Sequence, residues 1–187
     1  MTPHLRRLFF GPAKYSIPFL LWCSLFWNGC VPEEIDTYSG TGKRPVYMSL
    51  AALDSIGNLA PQMIRQSGTI FLQDTLFFML EQKKGIHVFS IKDSSTVSNL
   101  TFFKIPAVTD FTINGNRLYA DSWRDLVTID ISDIHHISVL SRQANVFAPL
   151  LYPPFYNGIF ECIDESKGAV VDWEDAYLEN VRCYTVN

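Results

Sequence analysis

Between Phe111 and Ile131 apolar and polar residues alternate in short runs, and Asn114 and Gly115 separate the first two of them. Alternation puts every second side chain on one face of a strand. Phe111 and Ile113 therefore share a face with Leu118 and Ala120 once the chain turns back. Asn-Gly between alternating runs is the strongest short hairpin signal, because both central positions of a type I′ turn need positive φ. Leu126 to Ile131 follows as a strand apolar on both faces, and Ile137 to Leu140 completes a set of four. Four short strands over about 40 residues make a β-meander.

The preceding segment repeats this plan. Ile70 to Leu72, a turn at Gln73 and Asp74, and Leu76 to Met79 match the Asn-Gly hairpin at an offset of 42. GIHVFSIKD from Gly85 to Asp93 matches DLVTIDISD from Asp125 to Asp133 at an offset of 40, sharing Ile91 with Ile131 and Asp93 with Asp133. Tandem four-stranded units of about 40 residues are what successive blades of a β-propeller look like. Val, Ile, Thr, Phe and Tyr in short runs bounded by Gly, Asn, Asp and Pro favour the same mostly β class. Units are expected at about 68–108 and 109–146, with a partial third at 147–187 whose strands include Ala169 to Trp173 and Val181 to Val186.

LVTID, from Leu126 to Asp130, is similar to the motif that names the LVIVD-repeat propellers, a group rich in outer-membrane lipoproteins of the Bacteroidota type. RPVYMS (Arg44 to Ser49), RLYADSWRDLVTIDISD (Arg117 to Asp133), and PPFYNG with DESKG (Pro153 to Gly168) resemble the N-terminal part of such a protein. The resemblance covers roughly residues 44–175. It implies a propeller-like fold and an outer-membrane location, and it carries no catalytic residues. Propellers close with about four to eight blades, so two to three units imply an incomplete ring. A truncated relative of a longer propeller is expected, with a two-sheet sandwich as the alternative.

The N-terminus has the order of an export signal. Arg6, Arg7 and Lys14 precede the apolar run Ile17 to Trp27, and Asn28, Gly29 and Cys30 follow. The charge-free stretch from Tyr15 to Pro32 is 18 residues long, at the lower limit for spanning a bilayer. A cysteine after a small residue here looks like a lipobox, in which the Cys30 thiol is acylated and the signal, residues 1–29, is cut away. Gly29 conforms to that pattern, while Trp27 and Asn28 stand where Leu and a small residue are usual. Lipidation is the expected outcome, against an uncleaved signal anchor or cleavage with release. Glu33, Glu34 and Asp36 resemble the acidic signal that sends such lipoproteins to the cell surface, the periplasmic face being the alternative. Ser39, Gly40, Thr41 and Gly42 give residues 30–47 the composition of a flexible tether. In residues 48–66 Ser49 caps a short helix with Leu50, Leu53 and Ile56 on one face, ahead of a connector.

From Cys30 onward twelve basic residues face nineteen acidic ones. An acidic chain without a basic stripe has no footprint for nucleic acid. Cys162 and Cys183, 21 residues apart, either pair in an exported compartment or stay as two buried thiols. His135 and His136 point to opposite faces if extended, and His87 lies within a strand, so no metal site is expected. The inter-strand loop Asp121, Ser122, Trp123, Arg124, Asp125 has two readings. Trp123 stacks on a sugar ring while Asp121 and Asp125 accept its hydroxyls; or Trp123 packs on a neighbouring blade and Arg124 pairs locally. Asp93 and Asp133 read as turn formers after a strand. No GxSxG, Walker, dinucleotide or HExxH pattern occurs, and no cofactor is expected. The combined expectation is a lipid-anchored binding or scaffolding protein taking a protein or glycan ligand. A truncated propeller enzyme and a non-functional remnant are the rivals.

Overall fold

The computed structural model describes residues 36–93 and 96–186. The signal segment, Cys30, Glu33 and Glu34 lie outside the described residues. The described chain is mostly β, in sheets of four and five strands of which none closes into a barrel.

The first sheet is built from β2 (Gly57–Leu59), β3 (Ser67–Gln73), β4 (Leu76–Glu81), β5 (Gly85–Asp93) and β6 (Thr96–Lys104), in the order β2-β6-β5-β4-β3. The second is a plain meander of β7 (Phe111–Asn114), β8 (Arg117–Ser122), β9 (Asp125–Asp130) and β10 (Ser138–Gln143). All their pairs are antiparallel. The two meanders superpose in sequence at an offset of 41 up to their second strands, which open at Leu76 and Arg117, and of 40 at their third, which open at Gly85 and Asp125. The lost residue is in the turn: three residues join β4 to β5, and two join β8 to β9. The first hairpin therefore turns at Asp74 and Thr75, one place later than expected. In the Asn-Gly hairpin Asn114 pairs with Arg117, so Gly115 and Asn116 are the central residues. Gly115 alone of these two has positive φ, at 58°, and Asp74 occupies the same place with φ 53°. The turns are thus not type I′, which needs positive φ at both central positions.

Alternation decides what these sheets bury. Phe78 and Leu80 on β4, Ile86 and Val88 on β5, and Phe103 on β6 meet Phe111 and Ile113, Leu118 and Ala120, and Val127 and Ile129 from β7, β8 and β9. Asn58 staples the two sheets at the rim. Its Nδ2 donates to the Ile134 carbonyl at 2.8 Å, and its Oδ1 accepts from the Ile137 amide at 2.8 Å.

Within the expected tether, residues 38–47 belong instead to a strand, β1 (Tyr38–Met48), in the middle of a third sheet. It pairs antiparallel along its length with β12 (Ala169–Val181) and parallel, at Lys43, with β11 (Gly158–Phe160). Gly42 marks a close approach: a Cβ there would stand 2.4 Å from the Ile159 carbonyl oxygen. Such contact requires glycine whatever the flexibility of the free chain. The third unit is accordingly no meander. Its order is β12-β1-β11-β13; β13 at Cys183–Thr185 falls within the expected strand Val181 to Val186, while β12 runs to Val181, well past the expected end at Trp173. The expected helix forms as α1 (Leu50–Leu53), where the Ser49 hydroxyl accepts from the Ala52 amide at 3.2 Å. Its buried Leu53 joins Ala107, Ala169 and Val171 in a second core, with Val46, Met48 and Trp123 packed around it.

Candidate functional site

The loop singled out by its aspartates and tryptophan spends its groups inside the protein. The Asp121 carboxylate accepts from the Thr109 and Asp110 amides at 2.7 and 2.8 Å and from the Thr109 hydroxyl. Asp125 accepts from the Arg142 guanidinium and from the Asn145 amide, both at 3.0 Å. Trp123 donates its indole N–H to the Val170 carbonyl at 3.1 Å, and the Arg124 guanidinium lies over its ring at 5.2 Å. The loop therefore joins sheets, and the sugar-stacking reading of Asp121, Trp123 and Asp125 gives way to the packing one. Asp133 likewise forms a turn, accepting from the His135 amide at 2.8 Å and the His136 ring at 2.9 Å. These contacts hold the Asp133 carboxyl below the ordinary aspartate range, first through the His136 ring and then through the His135 amide.

Cys162 and Cys183 are joined by a disulfide with 5.3 Å between their Cα atoms. It ties β11 to β13 beside the Phe160–Cys183 register pair. Among the described residues no three His, Cys, Asp or Glu side chains converge as metal ligands.

One cleft lies on the other face of the first sheet and has a volume of about 490 Å³; two others, of about 410 and 380 Å³, have Trp123 in their walls, with Asp121 in the first and Arg124 in the second. Alternation turns Met79, Glu81, His87, Phe89 and Phe102 to that face, opposite the residues that meet the second sheet. Residues 60–66, between β2 and β3, run over it. Glu81 fixes them: its two carboxylate oxygens accept from the Arg65 and Gln66 amides at 2.9 and 2.8 Å. The His87 Nε2 stands 3.2 Å from the same carboxylate. Both side chains are buried, Glu81 at 2% exposure and His87 at 0%. Burial alone raises the Glu81 pKa, but the two amides and the His87 ring outweigh it, and the carboxyl sits below its ordinary value. His87 packs edge-on to Phe102 at 4.8 Å and stacks on Phe89 at 5.9 Å. Its Nδ1 has no hydrogen-bond partner among the described residues. With the carboxylate able only to accept, the contact is made by Nε2–H donating to Glu81.

The cleft has a lining that is part apolar and part cationic. Met48, Leu59, Met63, Phe102 and Pro106 supply apolar surface, and Arg65, Lys83, Lys84 and Lys104 supply charge. The turn bearing two of the lysines is braced by the chain after β6. The Lys83 amide donates to the Val108 carbonyl at 2.7 Å, and the Ile105 amide donates to that of Lys84 at 3.1 Å. Lys83 forms an ion pair with Asp172. Among the described residues Arg65, Lys84 and Lys104 have no carboxylate within ion-pair distance, as holds also for Lys92, Arg117, Arg124 and Arg182, whereas Lys43, Arg44, Arg142 and Lys167 do; the three are set apart by lining one cleft. The one carboxylate in the lining is Glu81, spent on amides and imidazole, and Ser55 donates its hydroxyl to the Ala52 carbonyl at 2.6 Å. The cationic residues come from a connector, a turn and a strand end, and no sequence pattern unites them. The available signal was the reversal of charge at Lys83, Lys84 and Lys104 on an acidic chain. Compared with family models, curated proteins and solved structures, the chain has no significant match.

Proposed function

We propose that this chain is a lipid-anchored binding protein of the cell exterior, of the LVIVD-repeat propeller type, that holds an anionic ligand in the cleft beneath residues 60–66. The observation that carries the reading is the set of Arg65, Lys84 and Lys104, three cations without carboxylate partners among the described residues, gathered at one apolar cleft. Like charges held together repel, and on a chain rich in acids an unshielded cluster is an electrostatic receptor for an anion. Binding is favoured over covalent chemistry because the lining carboxylate and hydroxyl are already engaged within the protein. The exterior location rests on the resemblance of the Leu126–Asp130 motif, on Cys30 after Gly29, and on a disulfide of the kind that persists in oxidising compartments.

Two measurements test the two halves. Radioactive palmitate is expected to label the wild-type chain and not Cys30→Ala; equal labelling of both would remove the anchor. The full chain carrying Cys30→Ser is expected to bind at least one of three anionic probes (inorganic phosphate, dodecanoate or dextran sulfate), more weakly as salt rises and more weakly still with Lys84→Ala and Lys104→Ala. Binding to none of them, or binding indifferent to both substitutions, would refute the cleft as the seat. Turnover of a glycoside or ester panel would refute the non-covalent assignment.

A further inference from the structure

The cleft's two-part lining says more about its ligand than that it is negative. A site built for a small inorganic anion surrounds it with donors, whereas here the cationic groups border an apolar surface made by Met48, Leu59, Met63 and Phe102. Met63 is 78% exposed and Leu59 44% exposed, which is costly apolar area to leave in water. A volume of about 490 Å³ lies within the range of small-molecule sites. Arg65 and Met63 belong to the same connector, so one segment presents both charge and apolar surface to the same occupant.

We infer that the ligand is a free anionic amphiphile, a single alkyl or acyl chain ending in a carboxylate or phosphate. The chain covers Met48, Leu59, Met63 and Phe102, and the head group is held by Arg65, Lys84 and Lys104. This inference rests on the proposed binding role of the same cleft. Each half of the ligand answers one half of the lining: the chain removes the exposed methionine and leucine from water, and the head relieves repulsion among the cations. An uncharged amphiphile leaves the cations unpaired, and a bare anion leaves the apolar surface wet.

The test uses the full chain with Cys30→Ser and titration calorimetry with monomeric dodecanoate, with dodecyl maltoside as the uncharged amphiphile and inorganic phosphate as the bare anion. Dodecanoate is expected to bind one to one, at least about tenfold more tightly than either comparison ligand. Lys84→Ala with Lys104→Ala is expected to weaken dodecanoate by about tenfold or more and leave dodecyl maltoside unchanged. Met63→Asp, a substitution at an exposed site that does not threaten folding, is expected to weaken dodecanoate likewise. Equal binding of dodecanoate and dodecyl maltoside, or loss with neither variant, would overturn the inference. Salt-sensitive binding of phosphate or dextran sulfate without dodecanoate would overturn it and leave the anionic cleft standing. Sedimentation with phosphatidylglycerol vesicles without binding of monomeric dodecanoate would overturn the free ligand in favour of a lipid surface. Failure of every probe would end both readings.

Discussion

Glu81 is the residue on which the cleft's roof depends, and Glu81→Gln measures how much. In the native protein the carboxylate accepts two amide hydrogen bonds, at 2.9 and 2.8 Å, and stands 3.2 Å from the His87 ring. A glutamine keeps the shape but has one acceptor oxygen. Its amide nitrogen must stand either at the Oε1 place, donor against the Gln66 N–H, or at the Oε2 place, against both the Arg65 N–H and the His87 ring. One hydrogen bond to a charged acceptor is lost and another is weakened, at about 1.5–3 kcal/mol for the first and less for the second. Because Glu81 is 2% exposed, water does not make good the loss. The expected destabilisation is about 2–4 kcal/mol, which for a domain of this size lowers the melting temperature by roughly 5–15 °C. Glu81→Ala removes the His87 partner as well and is expected to cost about 3–5 kcal/mol.

The pH dependence provides an independent reading. The folded Glu81 pKa is below its ordinary value of 4.5, so its contribution is fully present above that pH and is lost as pH falls through the depressed folded value. Asp130, Asp133 and Asp164 are also lowered, but they are common to both proteins and drop out of the difference. The gap in melting temperature between wild type and Glu81→Gln is therefore expected to be widest near neutrality and to narrow below the ordinary glutamate range. Differential scanning calorimetry from pH 7 to pH 3 measures it, and amide exchange at Arg65 and Gln66 should quicken in the variant. A gap under about 2 °C at pH 7, or one that stays constant into acid, would refute the clamp.

Three further outcomes follow from the joints between sheets. Asn58→Ala removes contacts to the Ile134 carbonyl and the Ile137 amide and is expected to cost about 2 kcal/mol in denaturant unfolding, with Asn58→Asp recovering part through the retained Oδ1 acceptor. Asp121→Ala strips the Thr109 and Asp110 amides of their acceptor and should cost about 2 kcal/mol, while Asp121→Asn costs less; a silent Asp121→Ala would return that side chain to the candidate ligand groups. Cys162→Ser with Cys183→Ser, or a reductant, should lower stability by about 3 kcal/mol for a loop of this length, seen as an earlier melt that reductant no longer shifts in the double variant.

The two meanders were legible because their information is local. Strand alternation, a glycine in the Asn-Gly turn and a spacing of about forty residues are written within each unit, and the core of Phe78, Leu80, Ile113 and Leu118 follows from period two. The third sheet was illegible because its decisive contacts join Tyr38–Met48 to Ala169–Val181, across more than half the chain, and because β1 is held by backbone pairing more than by apolar burial. A segment with Ser39, Gly40, Thr41 and Gly42 has the composition of a linker whether its glycines confer freedom or permit close contact. Only the Ile159 carbonyl oxygen, 2.4 Å from where a Cβ on Gly42 would stand, distinguishes the two.

The same reasoning explains why the loop at Asp121 carried two readings and the cleft stayed hidden. An aspartate is equally suited to accept a sugar hydroxyl and a backbone amide, and position in a loop does not choose between them. The choice is made by what folding brings near, here the amides of Thr109 and Asp110. Arg65, Lys84 and Lys104 are the converse case: each reads as a solvated surface charge, and they acquire meaning only because Glu81 draws residues 65 and 66 down onto the face that also carries Phe102. Glu81, the one lining carboxylate among the described residues, is thus spent on holding residues 65 and 66, and Arg65, Lys84 and Lys104 are left without a carboxylate partner there.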